Sequence, residues 1–399
     1  MFEEVDVLSA EAVSNDVAGK LGATRAMKAS GSLRKLRNEP RTGSPRKEEP
    51  LCVVESEPTA LASMTEGEGV TTFLDWARPR TSEMLALLGE LVSIETPSFG
   101  PAGIEALAQR LARDLSDLGL KPALVPIPEG GPLLRAGEPG GVFLLGHMDT
   151  VWPQGTLTRR PPRLEGTRFF APGAFDMKAG LVIVLYALKA LAEKGVSHRS
   201  QVFFTPLEEV GGDFYRPLME DLMRASHAVL DFEPAWPGGA VKTGRKGSLG
   251  VRLRVKGHAA HAGADFLKGK SAVLELAHKV LELSRLTDAS SGITVNVGVV
   301  RGGIRPNVIP DSAEAEIDCR FPTKEQGAAL ERALLESHAS LEGTSLEWEV
   351  VSRYPPLERT PGVAALYEEA RAVAADMGLT LLETSTGGAS EASFAAALG

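Results

Sequence analysis

The chain has 399 residues, 43% hydrophobic and 24% charged, an ordinary balance for a soluble globular protein and enough for two or more cores at about 100–200 residues per domain. Its net charge of −9 argues against a nucleic-acid binder held by phosphate contacts, and no apolar run approaches the roughly 18 residues needed to span a bilayer. Two cysteines, Cys52 and Cys319, are too few for a disulfide framework, and the start Met-Phe-Glu-Glu-Val-Asp lacks the basic and apolar stretches of a signal peptide, so a cytoplasmic protein is expected.

Residues 1 to about 70 show no sustained hydrophobic period, and Lys28 to Lys47 is mostly basic, Ser, Gly and Pro. This reads as a disordered tail; the alternative is that Met64 is the true start. Helical spacing follows at Thr81 to Ile94 and Gly103 to Leu118, then a buried strand at Val142 to Leu145. A third helix is predicted over Lys178 to Lys194, with strands at Gln201 to Thr205 and Ala228 to Phe232. Strands alternating with helices predict an α/β layered domain.

From Lys246 the texture changes. Ser248 to Val255 alternates as a half-exposed strand should. The order is then helix Ser271–Leu286, strands Thr294–Val300 and Ala313–Arg320, helix Lys324–His338 and strand Ser345–Val351. This β-α-β-β-α-β order suits a small two-layer domain inserted into the first one. After Pro356 come a helix, Val363–Met377, and a strand, Leu379–Glu383. The expected boundaries are 71–244 plus 357–399 for the first domain and 245–356 for the insert.

His147 and Asp149, two apart at a strand end, leave on one face. A metal-binding imidazole needs a partner for its other ring nitrogen, which Asp149 can supply. Taken alone, the pair fits a strand-capping histidine and a turn aspartate equally well. Asp176 precedes the third helix, where it is either an N-cap or a carboxylate able to bridge two cations. Glu208 and Glu209 follow a strand and precede Gly211-Gly212. Paired loop acids are usually solvated charge, but strand ends are where α/β sheets place their sites. One glutamate could bind metal while the other takes a proton from water. Glu233 ends the next strand, with Asp231 as its rival. The combination at successive strand ends outweighs each part, and its N and O donors suit Zn²⁺, with Co²⁺ or Mn²⁺ as alternatives.

At this point the sequence resembles the co-catalytic metallopeptidase family of glutamate carboxypeptidase, aminoacylase, acetylornithine deacetylase and succinyl-diaminopimelate desuccinylase. The markers are Gly-His-Met-Asp-Thr-Val (146–151), Gly-Ala-Phe-Asp-Met-Lys-Ala-Gly (173–180), Leu-Glu-Glu-Val-Gly (207–211) and Asp-Phe-Glu-Pro (231–234). Further matches are Gly-His-Ala-Ala-His-Ala-Gly (257–263), Pro-Asn-Val-Ile-Pro (306–310), Asp-Cys-Arg-Phe (318–321) and Thr-Gly-Gly-Ala-Ser-Glu (386–391). Arg-Lys-Gly (245–247) and the Thr-Gly-Gly segment bring it nearest to glutamate carboxypeptidase.

The resemblance implies a mixed-sheet catalytic domain flanked by helices, with an inserted ferredoxin-like α+β lid that also dimerises. It implies that His147 and Glu233 bind a first metal, Glu209 a second, and that Asp176 bridges both. Glu208 would be the general base and Asp149 would orient His147. His261 would polarise the scissile carbonyl, typically in the partner subunit's site, while His258 is expected to be a surface residue. Asn307, Arg320 and Gly388 would hold the substrate, Arg320 as a bidentate partner for a terminal carboxylate.

Two departures stand out. The family's further metal-binding histidine has no counterpart, because none of the seven histidines lies beyond His338, and the family's Asp after Gly-Gly-x-Ser/Thr is Glu391. A C-terminally incomplete catalytic domain is therefore expected. The implied activity is hydrolysis of an amide next to a free carboxylate, on a small peptide or an N-acyl amino acid. The alternatives are a deacylase of the acetylornithine or succinyl-diaminopimelate type and an inactive homologue.

Overall fold

The computed structural model describes residues 4–6, 73–212 and 214–399. The expectation for residues 1–70 otherwise lies outside these, although Glu4–Asp6 forms a short strand antiparallel to Arg168–Phe170.

The first unit is built on a five-stranded mixed sheet. Its order is Ala123–Ile127, Gly131–Gly137, Ser200–Thr205, Val142–His147 and Ala228–Asp231. The first three alternate in direction, and the last three are mutually parallel. Side chains alternate along each strand, so a sheet covered on both faces needs apolar residues at nearly every position. Leu144, Val202 and Phe204 face one core, with Leu88, Leu91, Leu107, Leu111, Leu181 and Leu185 of the helices Thr81–Val92, Pro101–Asp117 and Ala179–Glu193. Phe143, Leu145 and Phe203 face the other, against Tyr215, Met219, Met223 and Phe394. The helices Arg216–Arg224 and Ala392–Leu398 supply that second layer.

The second unit is a four-stranded antiparallel sheet in the order Thr294–Gly302, Ser312–Phe321, Gly247–Lys256 and Ser345–Tyr354. One face alternates inward, through Leu249, Val251, Leu253, Ala315, Ile317 and Cys319, and is covered by helices Ala272–Ser284 and Lys324–Leu335. The chain enters and leaves this unit side by side, where Arg245 and Leu357 exchange backbone hydrogen bonds of 3.0 Å in both directions.

The C-terminal strand differs from the sequence reading. It spans Glu383–Thr386, parallel to Val241–Arg245, and not Leu379–Glu383. Leu379 is still used in leaving the preceding helix: Gly378 adopts a positive φ of 74° and the Leu379 N–H bonds back to Ala374 O at 2.8 Å.

Candidate metal centre

The three parallel strands end together, and their C-terminal ends carry the chemistry. His147 is the last residue of its strand, 2% exposed, and its N–H contacts Met177 Sδ at 3.1 Å. Its ring Nε2 lies 3.1 Å from Asp176 Oδ1. Its Nδ1 lies 3.0 Å from the backbone oxygen of Asp149 and 3.4 Å from Asp149 Oδ1. Asp149 therefore meets the ring nitrogen twice, through its backbone oxygen and, slightly farther off, through its carboxylate.

The Asp149 carboxylate has other work. It is fully buried, accepts the Glu208 and Glu209 N–H groups at 3.1 and 3.3 Å, and accepts the Ser98 hydroxyl at 2.7 Å. One aspartate thus fixes the short 3₁₀ turn Glu208–Val210 that presents both glutamates. Gly211, with φ at 98°, closes that turn in a conformation that side chains other than glycine rarely adopt.

Asp176 is no helix cap. The helix begins at Ala179 with Lys178 before it, and the Asp176 side chain makes no capping bond but faces His147. Lys178 is buried, and its Nζ donates to Leu91 O at 3.2 Å and Ile94 O at 2.6 Å, tying the Asp176 segment to the end of helix Thr81–Val92. Of the rival acids ending the third strand, Asp231 accepts the Ser390 hydroxyl at 2.9 Å while Glu233 turns to the cluster.

Two groups of donor atoms result: His147, Glu208 and Glu233, and His147, Asp176 and Glu209, each with atoms within 4.8 Å of one another. His147 belongs to both, and neither includes a second histidine.

The charges respond to this crowding. Burial and the neighbouring Glu233 push the Glu208 carboxyl well above the usual range. Burial, with Asp176 and Asp149 nearby, raises Glu209 to about 7. Burial and Asp231 raise Glu233 despite Arg245 beside it. For His147, burial favours the neutral ring, but Asp149, Asp176 and Glu208 outweigh it and hold the pKa well above its ordinary value. For Asp176, burial is outweighed by His147, Lys242 and Arg245, which lower it.

Several residues here make contacts that the sequence did not foretell. The Arg245 guanidinium ion-pairs with Glu233 and donates to the carbonyls of Ala389 at 3.2 Å and Gly388 at 3.4 Å. Glu391 is 3% exposed and accepts the Thr205 hydroxyl at 3.0 Å and the Tyr215 hydroxyl at 2.6 Å. A Cβ on Gly212 would stand 2.2 Å from Tyr215 Oη, so only glycine lets the tyrosine pass beneath the Glu208 turn.

The remaining sequence candidates lie on the second unit. His261 is exposed, its Nδ1 accepting the N–H groups of Gly263 and Ala264 at 3.1 Å each. Asn307 is exposed, with its carbonyl accepting from Ala262 N at 3.0 Å. Arg320 is half-buried and bonds Asp318 through Nε at 2.9 Å. His258 is exposed, as expected.

Residues 243–341 match the family described as a peptidase dimerisation domain. Carboxypeptidase G2 of Pseudomonas sp. (strain RS-16) is 30% identical over 328 residues, covering 79% of each chain. A putative succinyl-diaminopimelate desuccinylase of Mycobacterium tuberculosis is 35% identical over 205 residues, 48% of this chain and 55% of that one. Among solved structures, an M20 family metallo-carboxypeptidase from Sulfolobus solfataricus superposes with a TM-score of 0.60 at 20% identity, over 79% of this chain and 89% of its own. Aminopeptidase PepT from Bacillus cereus gives 0.65 at 24% identity, over 80% and 88%. The strand-end acids around His147, the inserted dimerisation domain and the reach of the Pseudomonas match lead to one conclusion: the chain belongs to the M20 family of metallohydrolases.

Proposed function

We propose that this protein hydrolyses an amide bond next to a free carboxylate, as a glutamate carboxypeptidase-like exopeptidase acting on a small peptide or N-acyl amino acid. The observation that carries this reading is the gathering of His147, Asp176, Glu208, Glu209 and Glu233 into two overlapping donor groups. The donor set fits a divalent cation. One imidazole and several carboxylates are Zn²⁺ ligands, also accepted by Co²⁺ and Mn²⁺, and the burial and neighbouring negative charge that raise Glu208, Glu209 and Glu233 are what a cation offsets.

In this reading His147, Asp176, Glu209 and Glu233 hold the metal, which when bound supplies Lewis-acid polarisation of water and of the scissile carbonyl. Glu208 takes the proton of the attacking water and passes it to the leaving amine. Asp149 keeps the Glu208 turn and the His147 ring in place. Arg320 leaves Asp318 to receive the substrate's carboxylate, His261 polarises the carbonyl, and Asn307 and Gly388 line the cleft. The second unit acts as a lid and joins two copies into a homodimer, and the protein resides in the cytoplasm.

Glu208→Ala should lower turnover of an N-acyl-glutamate at least about 100-fold while metal content, measured by atomic absorption, stays at the wild-type level. Turnover near wild type would overturn the base assignment, and wild-type protein that takes up no metal would overturn the site. The likeness to a putative succinyl-diaminopimelate desuccinylase favours a second reading, deacylation of an N-acyl diamino acid, separable by assaying both substrate types side by side. The lack of a second histidine in either donor group favours a third, a metal binder without turnover, which inactivity on both types in the metal-loaded protein would support.

A further inference from the structure

We propose that Arg245 is a positioning residue for the carboxylate of Glu233, coupling the junction of the two units to the cation site; this rests on the metal-site reading above. Arg245 is the residue at which the chain passes from the first unit into the second, and its backbone is pinned to Leu357, where the chain returns. Its side chain runs the other way, into the first unit. The guanidinium is 6% exposed and Nη2 is bonded to Glu233 Oε2. Nη1 points to Ala389 O at 3.2 Å and Gly388 O at 3.4 Å. Thr386, just before these, pairs with Arg245 in the parallel two-stranded ladder. One residue therefore holds three things at once: a candidate ligand and the 386–389 segment through its planar fork, and the junction with Leu357 through its backbone.

Glu233 needs such a partner. It lies beyond the end of its strand at Asp231, followed by Pro234, so no sheet hydrogen bond fixes its position. A glutamate carries several rotatable bonds whose freedom must be lost when it binds a cation. An arginine that already fixes one oxygen removes most of that loss and leaves the carboxylate aimed at His147. Partners of this kind typically change metal affinity 10- to 100-fold when removed. The opposing effect is electrostatic, since a guanidinium beside the site repels a second cation. A lysine keeps the charge and loses the fork, so it separates positioning from charge.

The test uses the full chain, with Zn²⁺ affinity read by calorimetry and Co²⁺ coordination read by the visible spectrum of the substituted protein. Arg245→Lys should weaken Zn²⁺ binding by about 10-fold or more and change the Co²⁺ spectrum. Arg245→Met removes the charge with little change in volume and should also weaken binding; it decides the matter if the lysine variant does not fold. A folded variant of either kind with Zn²⁺ affinity within about twofold of wild type and an unchanged Co²⁺ spectrum would show that the ion pair serves stability alone, and the proposal falls. Wild-type protein that binds neither ion is a different result, overturning the metal-site reading and this proposal with it.

Discussion

The Tyr215 hydroxyl donates to Glu391 at 2.6 Å, linking residues 176 positions apart beneath the turn that carries Glu208 and Glu209. Thr205, the last residue of the central strand, donates to the other Glu391 oxygen. Burial raises the Glu391 carboxyl to about 8 although both hydroxyls favour its charged form. A folded-state pKa above the unfolded one gives stability that is present below the unfolded value, near 4.5, and lost as pH rises towards 8. In metal-free protein, urea midpoints should fall between pH 5 and 8, and Glu391→Gln should make that fall shallower by up to about one proton. An identical slope in the two proteins would contradict the assignment.

Lys178 gives the opposite trend in a different window. Burial lowers its pKa to about 7, so the unfolded chain binds the proton more tightly and stability should rise with pH from about 7 to 10.5. Lys178→Met should flatten that rise in the urea midpoint. It should also free the carbonyls of Leu91 and Ile94, which a faster amide exchange at the end of helix Thr81–Val92 would register.

Asp149→Ala should cost more than the loss of one ring contact. It leaves the N–H groups of Glu208 and Glu209 without their acceptor and releases Ser98. Metal affinity is expected to drop about 10- to 100-fold, with Ser98→Ala milder because it removes one donor of three. Equal effects from both variants, measured by calorimetry, would argue against the carboxylate as the organising centre.

In the second unit, Glu275 is fully buried and accepts from Ser340 N, Leu341 N and Thr344 Oγ1. Glu275→Ala strands two backbone donors and should destabilise this unit by at least about 2 kcal/mol. Hydrogen exchange should show the loss in residues 337–344 first, with the His147 strand unaffected.

Much of this architecture was legible because the two periodicities were clean. Val142–His147 and Ser200–Thr205 are short apolar runs buried on both faces, and Gly247–Lys256 alternates as a one-faced strand must. The hairpin Ala123–Ile127 with Gly131–Gly137 escaped notice, since Pro126 and the paired glycines read as loop, and proline is confined to edge strands such as this one. The candidate ligands could be picked out because each stands at a strand end or a helix start. Ser98, Thr205 and Tyr215 could not, and Arg245 stood only as part of a motif with no contact assigned, because what they hold is far away in the chain and no local spacing announces it. Local spacing left Asp231 and Glu233 open for the same reason, since the Ser390 hydroxyl that Asp231 accepts comes from the far end of the sequence.

The sheet order has a consequence for how the site is assembled during folding. Gly131–Gly137 and Val142–His147 are near neighbours in the chain, yet Ser200–Thr205 lies between them. A direct hairpin between the first two would be the fast local product, and it is the wrong one. The native arrangement waits for a long loop to close and for the later strand to insert, a step whose entropic cost is met before any of its contacts form. His147 acquires Glu208 and Glu209 as neighbours only when that insertion is complete, so the ability to capture a cation should appear late in refolding, after most of the helix signal has returned.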